Sequence, residues 1–381
     1  MNSFNKLHKH LRNRAMDITK MKDEGRKVIA YTPGGYMPEE LVYACGALPI
    51  PVGLIRGGEH EAVMTAGAYL PRWLDTFCRA QIGYYMLKED ALYQMVDLLV
   101  TPLTDNDIRA IADSWDFYTD IEVFRFGVPH AKTEHAFDYY LEGIVLLKDK
   151  LERLTDTQIT DEKLKDAIER SNRERDLFKE ISLMRKSDPP LVTEEEFIKL
   201  SHASFLADKK IMVEVLEEFC DEIERREPPP ARGPRILLTG STLAMGDYKI
   251  LDLIRELEGT IVIEEFCEGV RHYWEKVEID ADLMKSLAER YFLKRVPCAW
   301  ARPGKERLDF LIKLVKDFKV EGVTWYQLMY RAVYDIESFY FADILKKETG
   351  LSMLKISSDY DAMEIEPLRT RIETFIEMLK R

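Results

Sequence analysis

Residues 27–50 read KVIAYTPGGYMPEELVYACGALPI. A short apolar run, KVIAY, leads into a Gly-Gly loop, and an amphipathic run follows that Pro38, Glu39 and Glu40 start well. The order is strand, loop, helix, which is the unit from which parallel α/β sheets are built. The same order recurs downstream. VDLLVTP reads as a buried strand, LTDND as its loop, and a helix starts at Ile108; DIEVFRFGVP is a further strand. A second set opens with RILLTGSTLAMGDYKILDLIREL and continues through TIVIEEFCEG, VEGVTWYQ and LSMLKISSDY. The expected fold is therefore α/β, with two Rossmann-like parallel-sheet halves and an additional helical segment. The expected boundaries are an N-terminal helical segment over residues 1–26 and a first α/β domain over 27–132. A helical segment over 133–227, broken at Pro189-Pro190, and a Pro-rich linker over 228–234 then lead to a second α/β domain over 235–381. Three consecutive prolines in EPPPARGP cannot continue a helix.

Composition narrows the function. With 381 residues, 46% hydrophobic, the chain has material for two or three domains. A net charge of −13 argues against a nucleic-acid surface. The charged, amphipathic start has no long apolar run, so neither a secretory signal nor a membrane span is expected. Five cysteines in a chain of this size make no disulfide framework and suit a reducing cytoplasm, where they serve as buried hydrophobes, nucleophiles or metal ligands.

In open α/β sheets, ligands sit beyond the carboxyl ends of the strands. The residues to weigh together are 32–37, 102–107, 241–245, 266–271, 298–302, 327–331 and 357–361. Neither YTPGG nor TGSTLAMG is a dinucleotide loop or a P-loop. Gly34 and Gly35 are either a tight turn or a close approach of backbone to a ligand in the cleft, at a helix start whose dipole favours an anion. Cys45 and Cys220 lie on helices and read as core residues. Cys78 lies near a helix start, Cys267 directly after a strand, and Cys298 after a probable strand and a proline. No pair of cysteines has the close spacing of a zinc ribbon or ferredoxin, so these thiols are either unligated or converge on a cluster from separate elements. Glu264, Glu265 and Glu268 flank Cys267. Such a carboxylate run is either solvated or supplies a base, and His272 is either packed beside Tyr273 and Trp274 or transfers protons.

YMPEELVYACGALPIPV with its continuation GLIRGG, the later VEGVTWYQ and the closing LRTRIETFIEMLK resemble the 2-hydroxyacyl-CoA dehydratase and benzoyl-CoA reductase family. The resemblance spans about residues 27–379. It implies two Rossmann-like halves and a smaller, β-type subunit that pairs with a homologous larger one. It also implies a [4Fe-4S] cluster, an acyl-CoA substrate and an ATP-dependent iron–sulfur activator that donates a low-potential electron. That electron turns the thioester into a ketyl radical, either for dehydration of a 2-hydroxyacyl-CoA or for reduction of an aromatic ring. The family's three cluster cysteines fall at Cys78, Asp105 and Arg331 of this chain, so two of the three thiolates are replaced, and an arginine, which stays protonated, is no ligand. The implied alternatives are a variant ligand set of Cys78, Cys267 and Cys298, or a cluster-free partner subunit with Arg331 and Arg109 near the acyl group. In either case Glu265 and His272 are the candidate catalytic residues, and Gly34 and Gly35 the cleft-lining pair.

Overall fold

The computed structural model describes residues 2–53, 57–230, 232–299 and 301–381. Residues 54–56 of the family-like stretch, Ala231 of the proline-rich linker and Trp300 among the strand-end candidates lie outside the described residues.

Among the described residues eight strands form two sheets. The first holds β1 (Val28–Tyr31), β2 (Leu48–Pro51), β3 (Leu98–Leu103) and β4 (Glu122–Gly127) in the order β2-β1-β3-β4. The second holds β5 (Arg235–Gly240), β6 (Thr260–Glu265), β7 (Gly322–Leu328) and β8 (Met353–Ser358) in the order β6-β5-β7-β8. All six pairings are parallel. The two sheets thus share one topology, and each reverses its strand order between its first and third strands. That reversal opens a crevice at the carboxyl ends of β1 and β3 in one half and of β5 and β7 in the other. Helices cover both faces of the sheets, and every residue of β1, β5, β6 and β7 is buried, the polar ones included.

Two local readings of the sequence are corrected. LPIP, at the end of the stretch read as strand, loop and helix, forms a further strand, β2. It pairs on one side only, with β1, and an edge strand tolerates residues that lack an N–H. Conversely, the residues before Cys298 form no strand; a single π-turn, Glu289–Leu293, runs into an irregular loop there.

Four long helices fill the segment between the sheets: Glu134–Thr155, Asp161–Met184, Glu194–Ser204 and Lys209–Glu224. Each starts on a side-chain cap, respectively Thr133, Thr160, Thr193 and Asp208, and Thr193 with Glu196 completes a capping box. Each cap contributes about 1 kcal/mol. One apolar cluster contains Ala30, Leu48 and Leu99 of the first sheet together with Ile236, Leu238 and Tyr326 of the second, so the halves share a core. Among the described residues no helix is long and apolar enough to cross a membrane.

Candidate functional site at the facing strand ends

The loop after β1 turns on two glycines in the left-handed region, Gly34 at φ +126° and Gly35 at φ +76°. A Cβ on Gly35 would overlap the Arg295 guanidinium, so the second half packs directly against this turn. Arg295 Nη2 donates to the Gly34 carbonyl at 2.8 Å. The helix that follows, Glu39–Ala44, has only six residues. Its acidic first turn is buried and occupied: Glu40 pairs with Arg175 at 2.6 Å and accepts from Tyr291 Oη at 2.8 Å, while Glu39 accepts from Tyr31 Oη and lies 3.4 Å from Lys209. The expected open helix dipole is therefore absent here, and the loop approaches protein rather than leaving an anion site.

Cys267, beyond β6, and Cys298 meet across this turn with sulfurs 3.0 Å apart. The Cys298 sulfur lies 3.8 Å from the Gly34 carbonyl and 3.7 Å from Arg271 Nη1. The neighbouring Cys298 thiol, and then the guanidiniums of Arg271, Arg295 and Arg307, hold the Cys267 thiol well below its ordinary range against the effect of burial. The two thiols therefore titrate as a pair rather than as separate groups.

The carboxylates around Cys267 are buried, contrary to the reading of a solvated run. Glu264 is held by Arg185. Glu265 lies 2.9 Å from both Arg271 and Arg307 and accepts from Thr239 Oγ1 at 2.6 Å. Burial opposes its charge, but the two guanidiniums prevail and hold it below the usual carboxylate range. Both its oxygens are engaged, which suits an ion-pair partner. Glu268, only 3% exposed, is different. One oxygen accepts from the Leu243 N–H and the other has no hydrogen-bond partner. Burial and then the Cys267 charge push its carboxyl up to about 8, so it carries a proton at neutral pH. Glu268, Cys267, Gly34, Gly35 and His272 line one cavity of about 20 Å³, room for a single water. His272 packs on Phe205, and burial, followed by the surrounding cations, holds its imidazole well below its ordinary range and hence neutral.

Cys78 stands elsewhere, on the far side of Arg331. Arg331, after β7, reaches across to the first half. Its Nη1 lies 2.9 Å from Asp75, 2.9 Å from Asp105 and 3.1 Å from Asp107, and Nη2 lies 2.7 Å from Asp105. The Cys78 sulfur is 3.8 Å from Nη1 and donates to Asp75 at 3.4 Å. Burial, and then Asp75, raises its thiol well above the ordinary range, so it stays protonated. Arg331, Asp105, Cys267 and Cys298 line a second cavity of about 20 Å³, whose wall does not include Cys78. The three positions of the implied cluster therefore do converge, but an arginine and three carboxylates fill the place. Neither the charge nor the room suits a cluster there, and among the described residues no group of three or more His, Cys, Asp or Glu could hold a metal ion. Arg109 does not join this site. It is exposed, pairs with Asp113 at 3.3 Å, and lines a separate groove beside Trp73 and Phe117.

The expected residues thus fall into two neighbouring groups, Gly34–Gly35–Cys267–Cys298–His272 and Cys78–Asp105–Arg331. Glu268 is the proton-bearing carboxyl that residue type alone did not single out from Glu264 and Glu265; only the pairing of the other two with arginines separates them.

Comparison with known proteins agrees with this architecture. The model of the family described as 2-hydroxyglutaryl-CoA dehydratase, D-component, matches residues 35–379. The chain is 25% identical to the (R)-phenyllactyl-CoA dehydratase beta subunit of Clostridium sporogenes, over 94% of this chain and 93% of that one. It is 23% identical to a benzoyl-CoA reductase subunit of Thauera aromatica, over 95% and 93%, and 23% identical to the beta subunit of (R)-2-hydroxyglutaryl-CoA dehydratase of Acidaminococcus fermentans, over 95% of each. The match to the family model runs through both halves and through every one of these site residues but Gly34, and on that ground the chain belongs to the 2-hydroxyglutaryl-CoA dehydratase D-component family.

Proposed function

We propose that the chain is the smaller, β-type subunit of a two-subunit enzyme that dehydrates a 2-hydroxyacyl-CoA, and that it works beside a homologous larger subunit and a separate ATP-dependent iron–sulfur activator. The observation that carries this reading is the similarity, over more than nine tenths of the chain, to subunits named as beta subunits of such dehydratases. In the proposed reaction the hydroxyl leaves C2 and a proton leaves C3, giving a 2-enoyl-CoA and water with no net change in electrons. One electron enters to form the ketyl radical and returns at the end.

The facing strand ends are the region we assign to this chemistry. Their guanidiniums, Arg271, Arg295 and Arg307, surround one acidified thiol in a dry environment, two of them also paired with Glu265. Preorganised cations of this kind favour developing anions. Glu268 holds a proton at its unpartnered oxygen, and neutral His272 lies on the same cavity wall. The chain's own contribution is then to hold that proton and to exclude water.

Anaerobic co-expression of this chain with a homologous larger subunit from the same source tests the reading. The two should purify together as one complex. A chain that remains alone in gel filtration with its co-expressed homologue contradicts the subunit assignment.

A further inference from the structure

We propose that the Arg331 guanidinium, seated among Asp75, Asp105 and Asp107, takes the place of the family's cluster in this chain, and that Cys78 is there a carboxylate-bound thiol rather than a metal ligand. The inference rests on the family reading for where a cluster would sit. It is carried by the geometry of three helix starts. Asp75 caps the helix Thr76–Leu87 by accepting from the Cys78 N–H at 2.7 Å. Asp105 caps Asn106–Tyr118 by accepting from the N–H groups of Asp107 and Ile108 at 3.0 and 3.1 Å. Arg331 itself stands at the cap position of Ala332–Thr349.

Each of the two capping aspartates therefore serves both its own helix and the guanidinium. The three helix starts lock around one arginine, and the lock joins the two halves. A cluster tied to Cys78 would have to displace a guanidinium that four close carboxylate contacts hold, in a place whose remaining free space admits one water. The lock performs the cluster's structural task, bridging the halves at the strand ends, with charge in place of iron–thiolate bonds.

The test is iron and sulfide content of the full chain, isolated and reconstituted without oxygen, which needs neither substrate nor partner subunit and so is separate from the outcome for the proposed function. Four proteins are compared: the wild type, Cys78→Ser, the double variant Asp105→Cys/Arg331→Cys, and that double variant with Cys78→Ser added. The wild type and Cys78→Ser should have the same iron content. The double variant, which restores three thiolates, should gain about four irons per chain with the visible absorbance of a cluster, and should lose them when Cys78 is removed. Wild-type iron that disappears with Cys78→Ser overturns the proposal. So does a folded double variant that gains no iron, because the place would then not be a cluster place. If the double variant does not fold, the wild type and Cys78→Ser decide alone: equal iron supports the proposal and unequal iron refutes it.

Discussion

Replacing Arg331 with methionine should be among the most damaging single changes in this chain. The side chain is 10% exposed, and the Asp75, Asp105 and Asp107 side chains around it are 1%, 6% and 14% exposed. Methionine fills much of the volume but leaves three carboxylates without their cation. Removing one partner of a buried pair typically costs about 3–5 kcal/mol. The lower end applies here, because the two capping aspartates keep their backbone donors. The loss has a pH signature. Burial, and then Asp75, already push the Asp107 carboxyl up to about 6 against the opposing Arg331 guanidinium, so removing Arg331 raises it further. Its contribution is then favourable below the unfolded pKa and is lost as pH rises through the folded pKa. The deficit of the variant should therefore be larger at about pH 7.5 than at about pH 5. Adding Asp105→Asn should recover part of it, with a coupling of about 0.5–3 kcal/mol. Urea unfolding midpoints of the wild type, both single variants and the double variant measure all three quantities. A loss below about 1 kcal/mol, the size expected of an exposed ion pair, or a loss independent of pH, refutes the picture of a dry lock.

Three further outcomes are expected. Because Glu268 rises from 4.5 to about 8, its contribution to stability is complete below about pH 4.5 and is lost as pH rises through about 8, so Glu268→Gln should remove up to about 1.4 kcal/mol per pH unit from the slope of stability between these two pH values; an unchanged slope in urea midpoints against pH contradicts the assignment. Gly35→Ala forces a Cβ into the Arg295 guanidinium at a positive φ and should cost more than about 1 kcal/mol, read as a lower thermal midpoint, whereas a neutral effect would mean the turn does not press on Arg295. Mild oxidation with diamide should close a Cys267–Cys298 disulfide and leave Cys78 free, as peptide mapping reports; capture of Cys78 in the disulfide instead would show that the two groups of residues are wrongly separated.

The parallel architecture was legible because buried strands carry short apolar runs, as in VIAY of β1 and IVI of β6. LPIP was not, since proline marks a strand only when the sheet leaves its N–H side unpaired, and edge position is a property of the assembled sheet. The apolar step before Cys298 misled in the opposite direction, because Val296 is buried by packing around a π-turn rather than by a sheet. At the site, Cys78, Asp105 and Arg331 could be aligned with expected ligand positions, but a sequence separation of more than two hundred residues carries no sign that Arg331 inserts among three aspartates. That contact follows from how the two sheets face each other. For the same reason Glu265 looked as good a base as Glu268. Arg271 and Arg307 decide between them, and only the fold brings Arg307 to Glu265.

Whether this chain works as a subunit of an acyl-CoA dehydratase is decided by turnover. The anaerobically assembled complex of this chain with its homologous larger subunit, supplied with the activator, ATP and a reductant, is offered a panel of 2-hydroxyacyl-CoA thioesters and, separately, benzoyl-CoA, and the products are followed by mass spectrometry. One or more of the 2-hydroxyacyl-CoA thioesters should lose water to give the 2-enoyl-CoA, without net consumption of electrons, and omitting this chain should abolish the conversion. Reduction of benzoyl-CoA with net electron consumption and no dehydration of any 2-hydroxyacyl-CoA would contradict the proposed function, as would dehydration that proceeds equally well without this chain.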